Sequence, residues 1–261
     1  MTSTANPSVV LHYIFDPLCG WCYAAAPLVK AARTVPGVAV QWHAGGMLTG
    51  QHTRVINEQF REYVLPHDKR IEEMTGQPFG EAYTDGLLRA VGSVLDSEPP
   101  TTALLAAEQL AGLGLEMLGA EQKAYYVDGL LISDREVLVK IAADLGLPAE
   151  QFEAAYMAMQ GQPTQEHMQM SREMLGMVQG QGFPTFALEF DHPEQPGQRA
   201  IQRLDIGPWL SDVPGWVEQL GDWVQQITTL DAEGTEEAEA PVAGECGPDG
   251  CTLPDAASDK K

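Results

Sequence analysis

Apolar runs and helical periodicities alternate at the start of the chain. Residues 9–15, VVLHYIF, form a short β-branched and aromatic run that predicts a buried strand. Residues 19–33 follow with helix-forming side chains, and Pro27 among them predicts a kink. Residues 38–43, VAVQWH, alternate as a second strand. Because a helix connects the two strands, we expect them to be parallel.

The middle of the chain has a different pattern, with helical periodicity and no strand signal. Alanine, leucine, glutamate, glutamine and methionine dominate it. The predicted helices cover residues 55–63, 80–94, 101–118, 121–131, 134–145 and 150–160. We therefore expect one continuous block of helices here.

Strand signals return after this block. A methionine-rich helix at 167–179 precedes a strand at 185–190, and a polar loop leads to a second strand at 199–204. The short loop makes these two strands an antiparallel hairpin. The last predicted helix covers residues 209–227. The following segment is acidic and almost free of large apolar residues, which predicts a flexible tail.

The order of these elements predicts one α/β unit with a helical insertion. Residues 1–50 and 166–230 would form the α/β unit, residues 51–165 the inserted helical domain, and residues 231–261 the tail.

Composition excludes two classes of partner. The 261 residues carry 15 Lys and Arg against 37 Asp and Glu, a formal net charge of -22. Such a chain repels phosphate backbones and anionic bilayers, so we expect neither nucleic-acid nor membrane binding. Its most apolar stretch, residues 101–120, contains acidic side chains and is too polar to span a bilayer. The first residues carry no secretory signal pattern, which predicts a cytoplasmic protein.

The cysteines form two close pairs at opposite ends of the chain, Cys19/Cys22 and Cys246/Cys251. In a reducing compartment such pairs are more often redox-active or metal-binding than structural. Cys19 stands where a strand turns into a helix, and the helix N-terminus favours an anion, which makes Cys19 the expected nucleophile. Cys22, one turn later, would resolve the mixed disulfide. The alternatives are two buried cysteines or half of a zinc site completed by the second pair.

The segments FDPLCGWCY and GFPTF resemble the DsbA-like branch of the thioredoxin superfamily. The resemblance extends over residues 9–227, and the long interval between the two segments accommodates the helical domain that this branch inserts. The FrnE-type subgroup, which can carry a second C-terminal cysteine pair, is the most similar. The resemblance implies a thioredoxin fold with a large inserted helical domain, followed here by the flexible acidic tail.

The resemblance also implies roles for individual residues. Cys19 matches the attacking cysteine and Cys22 the resolving one, while Pro184 matches a proline with a cis peptide bond that faces the disulfide. That bond would expose the backbone of Phe183 to an extended substrate. Phe183 departs from the small or β-branched residue common before this proline, so substrate preference stays open. No metal, nucleotide or other cofactor is needed.

The residues next to the cysteine pair refine the prediction of its chemistry. Strongly oxidising members place a histidine between the cysteines, whereas this chain has Gly20-Trp21. Without an imidazolium beside Cys19 we predict a potential toward the reducing or isomerising end. Trp21 is expected to remain accessible as a substrate contact. Asp16 could accept the proton of Cys22 through water, or it could cap the helix.

The second pair, Cys246 and Cys251, encloses Gly-Pro-Asp-Gly, which favours a turn that draws the two sulfurs together. It is interpreted as a second redox pair that exchanges with the first. The alternatives are an exposed pair without a partner and a metal-scavenging tail.

Together these features predict a thiol-disulfide oxidoreductase with reductase or isomerase character. Its partners would be proteins with disulfides or thiols, and glutathione or a thioredoxin system would exchange electrons with it. One alternative is a glutathione-dependent isomerase or transferase of the same architecture, which generally carries serine in place of Cys19. Another is a non-enzymatic holdase that binds unfolded polypeptide through a methionine-rich surface, formed by Met157, Met159, Met168, Met170, Met174 and Met177. The histidines are not at metal-ligand spacing, and His12 is expected to pack in its strand.

Overall fold

The computed structural model describes residues 9–192, 195 and 197–236. In chain order the elements are β1 (Val9–Phe15), α1 (Gly20–Ala32), β2 (Val38–Ala44), β3 (Arg54–Val55), α2 (Glu58–Thr75), β4 (Val94–Leu95), α3 (Glu98–Ala111), α4 (Gly114–Tyr126), α5 (Arg135–Asp144), α6 (Ala149–Met159), α7 (Gln162–Met177), β5 (Thr185–Asp191), β6 (Arg199–Leu204) and α8 (Val213–Glu236).

A four-stranded sheet in the order β2-β1-β5-β6 joins the two ends of the chain. β1 is parallel to β2, with Val9 opposite Val38, and antiparallel to β5. β5 and β6 form an antiparallel hairpin. The parallel β1-β2 pair and the hairpin confirm the predictions from the hydrophobic pattern.

Helix α8 packs against α1 and fixes the helix that carries the cysteine pair. Trp216 of α8 is fully buried, and its Nε1–H donates a hydrogen bond to the carbonyl oxygen of Leu28 at 3.0 Å. Leu28 lies in α1, whose helix is continuous through Pro27. The apolar ring of Trp216 is thus removed from water, and its polar N–H has a hydrogen-bond acceptor.

The helices between β2 and β5 differ in detail from the prediction. Residues 80–94 do not form a regular helix: a π-helical turn at Ala82–Gly86 and a 3₁₀ turn at Leu87–Arg89 are followed by β4. Gly92, with φ +99°, cannot continue a helix there. The predicted helices at 101–118 and 121–131 are instead α3 and α4, separated at Gly112, where φ is +66°.

Two predicted boundaries also move. Helix α2 extends to Thr75, well past residue 63, and ends where Gly76 adopts the left-handed conformation. Helix α8 extends to Glu236, six residues into the segment predicted to be a tail. The remainder of that segment, with Cys246 and Cys251, lies outside the described residues. Within the described part of the chain, no helix is both long and apolar enough to cross a membrane.

Candidate active site

The cysteine pair stands at the turn from β1 into α1. Cys19 is the N-cap residue of α1, and its Sγ accepts a hydrogen bond from the backbone N–H of Cys22 at 3.3 Å. Both cysteines are free thiols. Cys19 is 6% exposed and Cys22 is fully buried. The N–H donor and the positive end of the helix dipole both favour a thiolate at Cys19 over one at Cys22.

The peptide bond between Phe183 and Pro184 is cis, as the resemblance implies. It lies in the loop before β5 and faces the nucleophile, since the Sγ of Cys19 is 3.6 Å from the carbonyl oxygen of Phe183. A groove of about 620 Å³ begins at this bond and extends along the end of the β5-β6 hairpin. Arg203 and Asp205 place charges of both signs on its wall.

The ring of Phe183 packs against the backbone of Gly45, directly after β2. A Cβ atom on Gly45 would lie 2.3 Å from the ring, so only glycine permits this contact. Arg172 of α7 fixes the same turn, because its guanidinium donates hydrogen bonds to the carbonyl oxygens of Gly45 at 2.7 Å and Gly46 at 2.6 Å. No sequence pattern points to Gly45 or Arg172, because their contacts join distant parts of the chain.

Cys22 is surrounded by groups that keep it protonated. Burial raises the pKa of the Cys22 thiol well above its usual value, and the neighbouring Cys19 raises it further. Tyr13 of β1 donates a hydrogen bond from its hydroxyl to the carbonyl oxygen of Cys22 at 3.1 Å. The buried Cys22 thiol is therefore held in its protonated form.

Asp16 is fully buried and does not cap α1, because Cys19 occupies the N-cap position. Its carboxylate instead accepts hydrogen bonds from the N–H of Leu18 at 2.9 Å, the hydroxyl of Ser97 at 3.0 Å and the N–H of Met47. Burial raises the pKa of Asp16, and these hydrogen bonds oppose the shift. The capping alternative for Asp16 is therefore wrong, and the proton-accepting role stays a prediction.

A family model described as DSBA-like thioredoxin domain matches residues 10–205. This chain belongs to the DSBA-like thioredoxin family. The chain is a protein disulfide oxidoreductase and carries the Cys19-Cys22 pair at the expected turn. The FrnE-type subgroup stays a prediction. A search of curated proteins found no match.

Solved structures support the assignment to the DSBA-like family. The cytosolic disulfide reductase DsbM from Pseudomonas aeruginosa is 45% identical, with a TM-score of 0.75 over 83% of this chain and 99% of that chain. The structure of DsbM with GSH is 44% identical, with a TM-score of 0.74 and the same coverage of 83% and 99%. A putative protein disulfide isomerase from Nitrosomonas europaea shares the fold at 24% identity, with a TM-score of 0.65 over 84% of this chain and 98% of that chain.

In this DSBA-like chain the inserted helices add an acid next to the cysteine pair. Asp68 of α2 is 6% exposed and accepts a hydrogen bond from the hydroxyl of Tyr83 at 2.9 Å. Burial raises the pKa of Asp68 to about 6. Tyr126 of α4 lies beside it and stacks on Tyr23 of α1 at 4.7 Å. No pattern in the sequence pointed to Asp68, because its neighbours come from three separate elements.

A second buried acid is Glu121 of α4, whose two carboxylate oxygens have no hydrogen-bond partner among the described residues. Burial raises its pKa well above the usual value, and the charge of Asp16 adds to the shift. Both effects favour the uncharged form of this carboxyl group.

Trp21 is half-buried, and the guanidinium carbon of Arg70 lies 5.8 Å from its ring centroid. One face of the indole is thus occupied by a cation from the inserted helices.

His12 of β1 packs in its strand, as expected. His12 is buried, with Nδ1 3.0 Å from Nε2 of His43 and Nε2 2.8 Å from Oε2 of Glu189. Within the described ranges no group of three or more histidine, cysteine, aspartate or glutamate side chains could hold a metal ion. The zinc alternative depends on Cys246 and Cys251, which lie outside those ranges.

The methionine-rich helix α7 has two faces. Met168 is buried, whereas Met170 and Met177 are exposed. The buried face packs against β2, and the exposed methionines are the surface on which the holdase alternative depends.

Proposed function

We propose that this protein is a reductase and isomerase of protein disulfides that acts in the cytoplasm. The observation that carries the proposal is the position of the Cys19 Sγ, which caps α1 and lies 3.6 Å from the carbonyl oxygen of Phe183. A thiol with these partners, next to an open groove, has the geometry to attack an extended substrate. The similarity to a cytosolic disulfide reductase supports the direction and the compartment.

In the first step, the Cys19 thiolate attacks one sulfur of a substrate disulfide. The S–S bond of the substrate breaks, its second sulfur leaves as a thiolate and takes a proton, and a mixed disulfide with Cys19 remains. Phe183 would hold the substrate backbone through its exposed carbonyl.

In the second step, Cys22 loses its proton and attacks the sulfur of Cys19. The mixed disulfide breaks, the remaining substrate thiolate leaves and is protonated, and a Cys19-Cys22 disulfide forms. Asp16 is the proposed proton acceptor, since its buried carboxylate lies in the turn before the pair and its pKa is raised.

Two external thiols then reduce the Cys19-Cys22 disulfide and are themselves oxidised to a disulfide. The structure of DsbM with GSH supports glutathione as their source, and a thioredoxin system remains the alternative donor. In isomerisation, the released substrate thiolate attacks the mixed disulfide before Cys22 does. We further propose that Cys246 and Cys251 form a second redox pair on the tail, and that residues 51–165 act as the inserted domain beside the site.

Reduction of a protein disulfide with glutathione as donor tests the proposal. Turnover of insulin disulfides should be lost in Cys19→Ser, whereas Cys22→Ser should accumulate a mixed disulfide that mass spectrometry detects on Cys19. The double variant Cys246→Ser/Cys251→Ser is the control and should retain turnover through the first pair.

Two results would point to the alternatives. Turnover that persists in Cys19→Ser would refute the thiol mechanism and favour a glutathione-dependent isomerase or transferase. Suppression of aggregation by Cys19→Ser/Cys22→Ser, without any disulfide reduction by the native protein, would favour the holdase.

A further inference from the structure

The carboxylate of Asp68 lies over the first turn of α1. Its Oδ1 is 3.4 Å from the position that a Cβ atom on Gly20 would occupy. Gly20 is the first residue of α1 and directly follows Cys19. An acid contributed by the inserted helices therefore lies within one residue of the nucleophile.

The hydroxyl of Tyr126 lies over the same turn as Asp68. It lies 3.9 Å from the same Cβ position on Gly20. Burial raises the pKa of Tyr126 well above its usual value, and the charges of neighbouring tyrosines, Cys19 and Asp68 add to the shift. The phenol and the acid therefore lie at the same buried turn, directly after Cys19, where little water screens a charge.

The other groups around Asp68 do not neutralise it. Tyr83 donates the one side-chain hydrogen bond that the carboxylate accepts within the described ranges, at 2.9 Å. In those ranges no lysine or arginine forms an ion pair with it. Two other titratable groups interact with Asp68. The charge of His67 lowers the pKa of Asp68, and the charge of Asp68 raises the pKa of Tyr125 of α4.

The groups on the α1 side complete this environment. Gly20 carries no side chain, and the apolar Ile71 closes the contact, with its Cδ1 3.2 Å from the Cβ position. Arg70 of α2 is directed at the ring of Trp21 rather than at Asp68. Above pH 6 the carboxylate is thus a negative charge, shielded from water, beside the end of the helix where the thiolate forms.

We propose that Asp68 is a positioning residue through which the inserted helices set the redox behaviour of the pair: its charge destabilises the Cys19 thiolate and so favours the Cys19-Cys22 disulfide. The pair then gives up electrons more readily, as a reductase requires. This inference rests on the proposed function.

The first test measures alkylation of Cys19 by iodoacetamide in a chain that lacks Cys22, Cys246 and Cys251. At pH 7 the Asp68→Asn variant should react up to about tenfold faster than the parent, because one unit of thiolate stabilisation is tenfold. At pH 5 the Asp68 carboxylate of the parent is protonated, so the two rates should converge. A merely structural role for Asp68 would not produce this pH dependence.

The second test measures the equilibrium of the intact Cys19-Cys22 pair with glutathione at pH 8. Asp68→Asn should shift it toward the dithiol by up to about tenfold, which corresponds to about 30 mV. Glu73→Gln is the matched control, since it removes a carboxylate from the same helix at an exposed position. It should change neither quantity.

The outcomes separate this inference from the proposed function. If Cys19→Ser abolishes turnover but Asp68→Asn matches Glu73→Gln in both tests, the role of Asp68 is refuted and the proposed function stands. If Cys19→Ser retains turnover, the proposed function itself fails. Tyr83→Phe provides a second variant: loss of its hydrogen bond should raise the pKa of Asp68 further and reproduce part of the rate increase at pH 7.

Discussion

Replacement of Asp68 by asparagine should stabilise the fold at neutral pH. Asparagine has nearly the same shape, and its carbonyl oxygen can still accept the hydrogen bond from Tyr83. What the substitution removes is a carboxylate that must ionise in a buried position. The pKa of Asp68 is raised to about 6 from the ordinary value of 3.8, chiefly by burial.

The size and the sign of the effect follow from this shift. A raised pKa means that the folded state binds the proton more tightly, so the contribution of Asp68 to stability is present below pH 3.8 and is lost as the pH rises through 6. The full shift corresponds to about 3 kcal/mol at pH 7.5 and about half of that at pH 5. The Asp68→Asn variant should gain up to these amounts.

Urea unfolding followed by tryptophan fluorescence measures the free energy of unfolding at both pH values. Asp85→Asn is the control, because Asp85 is exposed and its pKa is lowered by Arg89. That variant should lose a little stability rather than gain it. If Asp68→Asn is unchanged or less stable at pH 7.5, the buried carboxylate does not destabilise the fold. The same conclusion follows if the gain in the free energy of unfolding does not depend on pH.

Two further predictions concern packing and titration. Gly45→Ala should displace the ring of Phe183, which costs about 1–3 kcal/mol by overpacking, and should lower kcat/KM for protein disulfides. In Gly119→Ala of α4, no atom of the described residues outside the local helix backbone lies within 4 Å of the new Cβ, so this variant should instead gain up to about 1 kcal/mol and retain activity. Equal losses in both variants would contradict this contact argument. Burial lowers the pKa of His43 and of His167 to about 4. The contribution of these two histidines to the free energy of unfolding should therefore be complete above pH 6.5 and should be lost as the pH falls toward 4. Urea unfolding at pH 7 and pH 5 measures this fall in the free energy of unfolding. The fall should be up to about 2 kcal/mol smaller in His43→Gln than in the parent, and an equal fall in both would show that His43 does not titrate as its burial requires.

The sheet could be predicted from the sequence because its strands are short, apolar and separated by clear turn signals. β1 was predicted with its observed bounds, and the parallel and antiparallel pairings followed from the lengths of the connections. The helical block was harder to divide. Gly112 ends α3 inside a continuous helical pattern, and the glycines of residues 80–94 replace a regular helix by short turns. A single glycine can be tolerated or can end a helix, and tertiary packing decides between the two.

The reactive pair of the site could be predicted, but the residues that modify it could not. Cys19, Cys22 and Pro184 lie in local motifs whose geometry depends on adjacent residues. The environment of Asp16 depends on Ser97, which is 81 positions away in the sequence. The place of Asp68 beside Gly20 likewise results from packing between an inserted helix and α1, which no periodicity encodes.

The reduction potential of the Cys19-Cys22 pair directly tests whether this pair acts as a reductase. It can be measured by equilibration with glutathione buffers in the Cys246→Ser/Cys251→Ser variant, so that only the first pair titrates. We expect a reduction potential near or below about −220 mV, in the range of the cytosolic glutathione poise. A value near about −120 mV would mean that the pair is an oxidant, and it would contradict the reductase assignment.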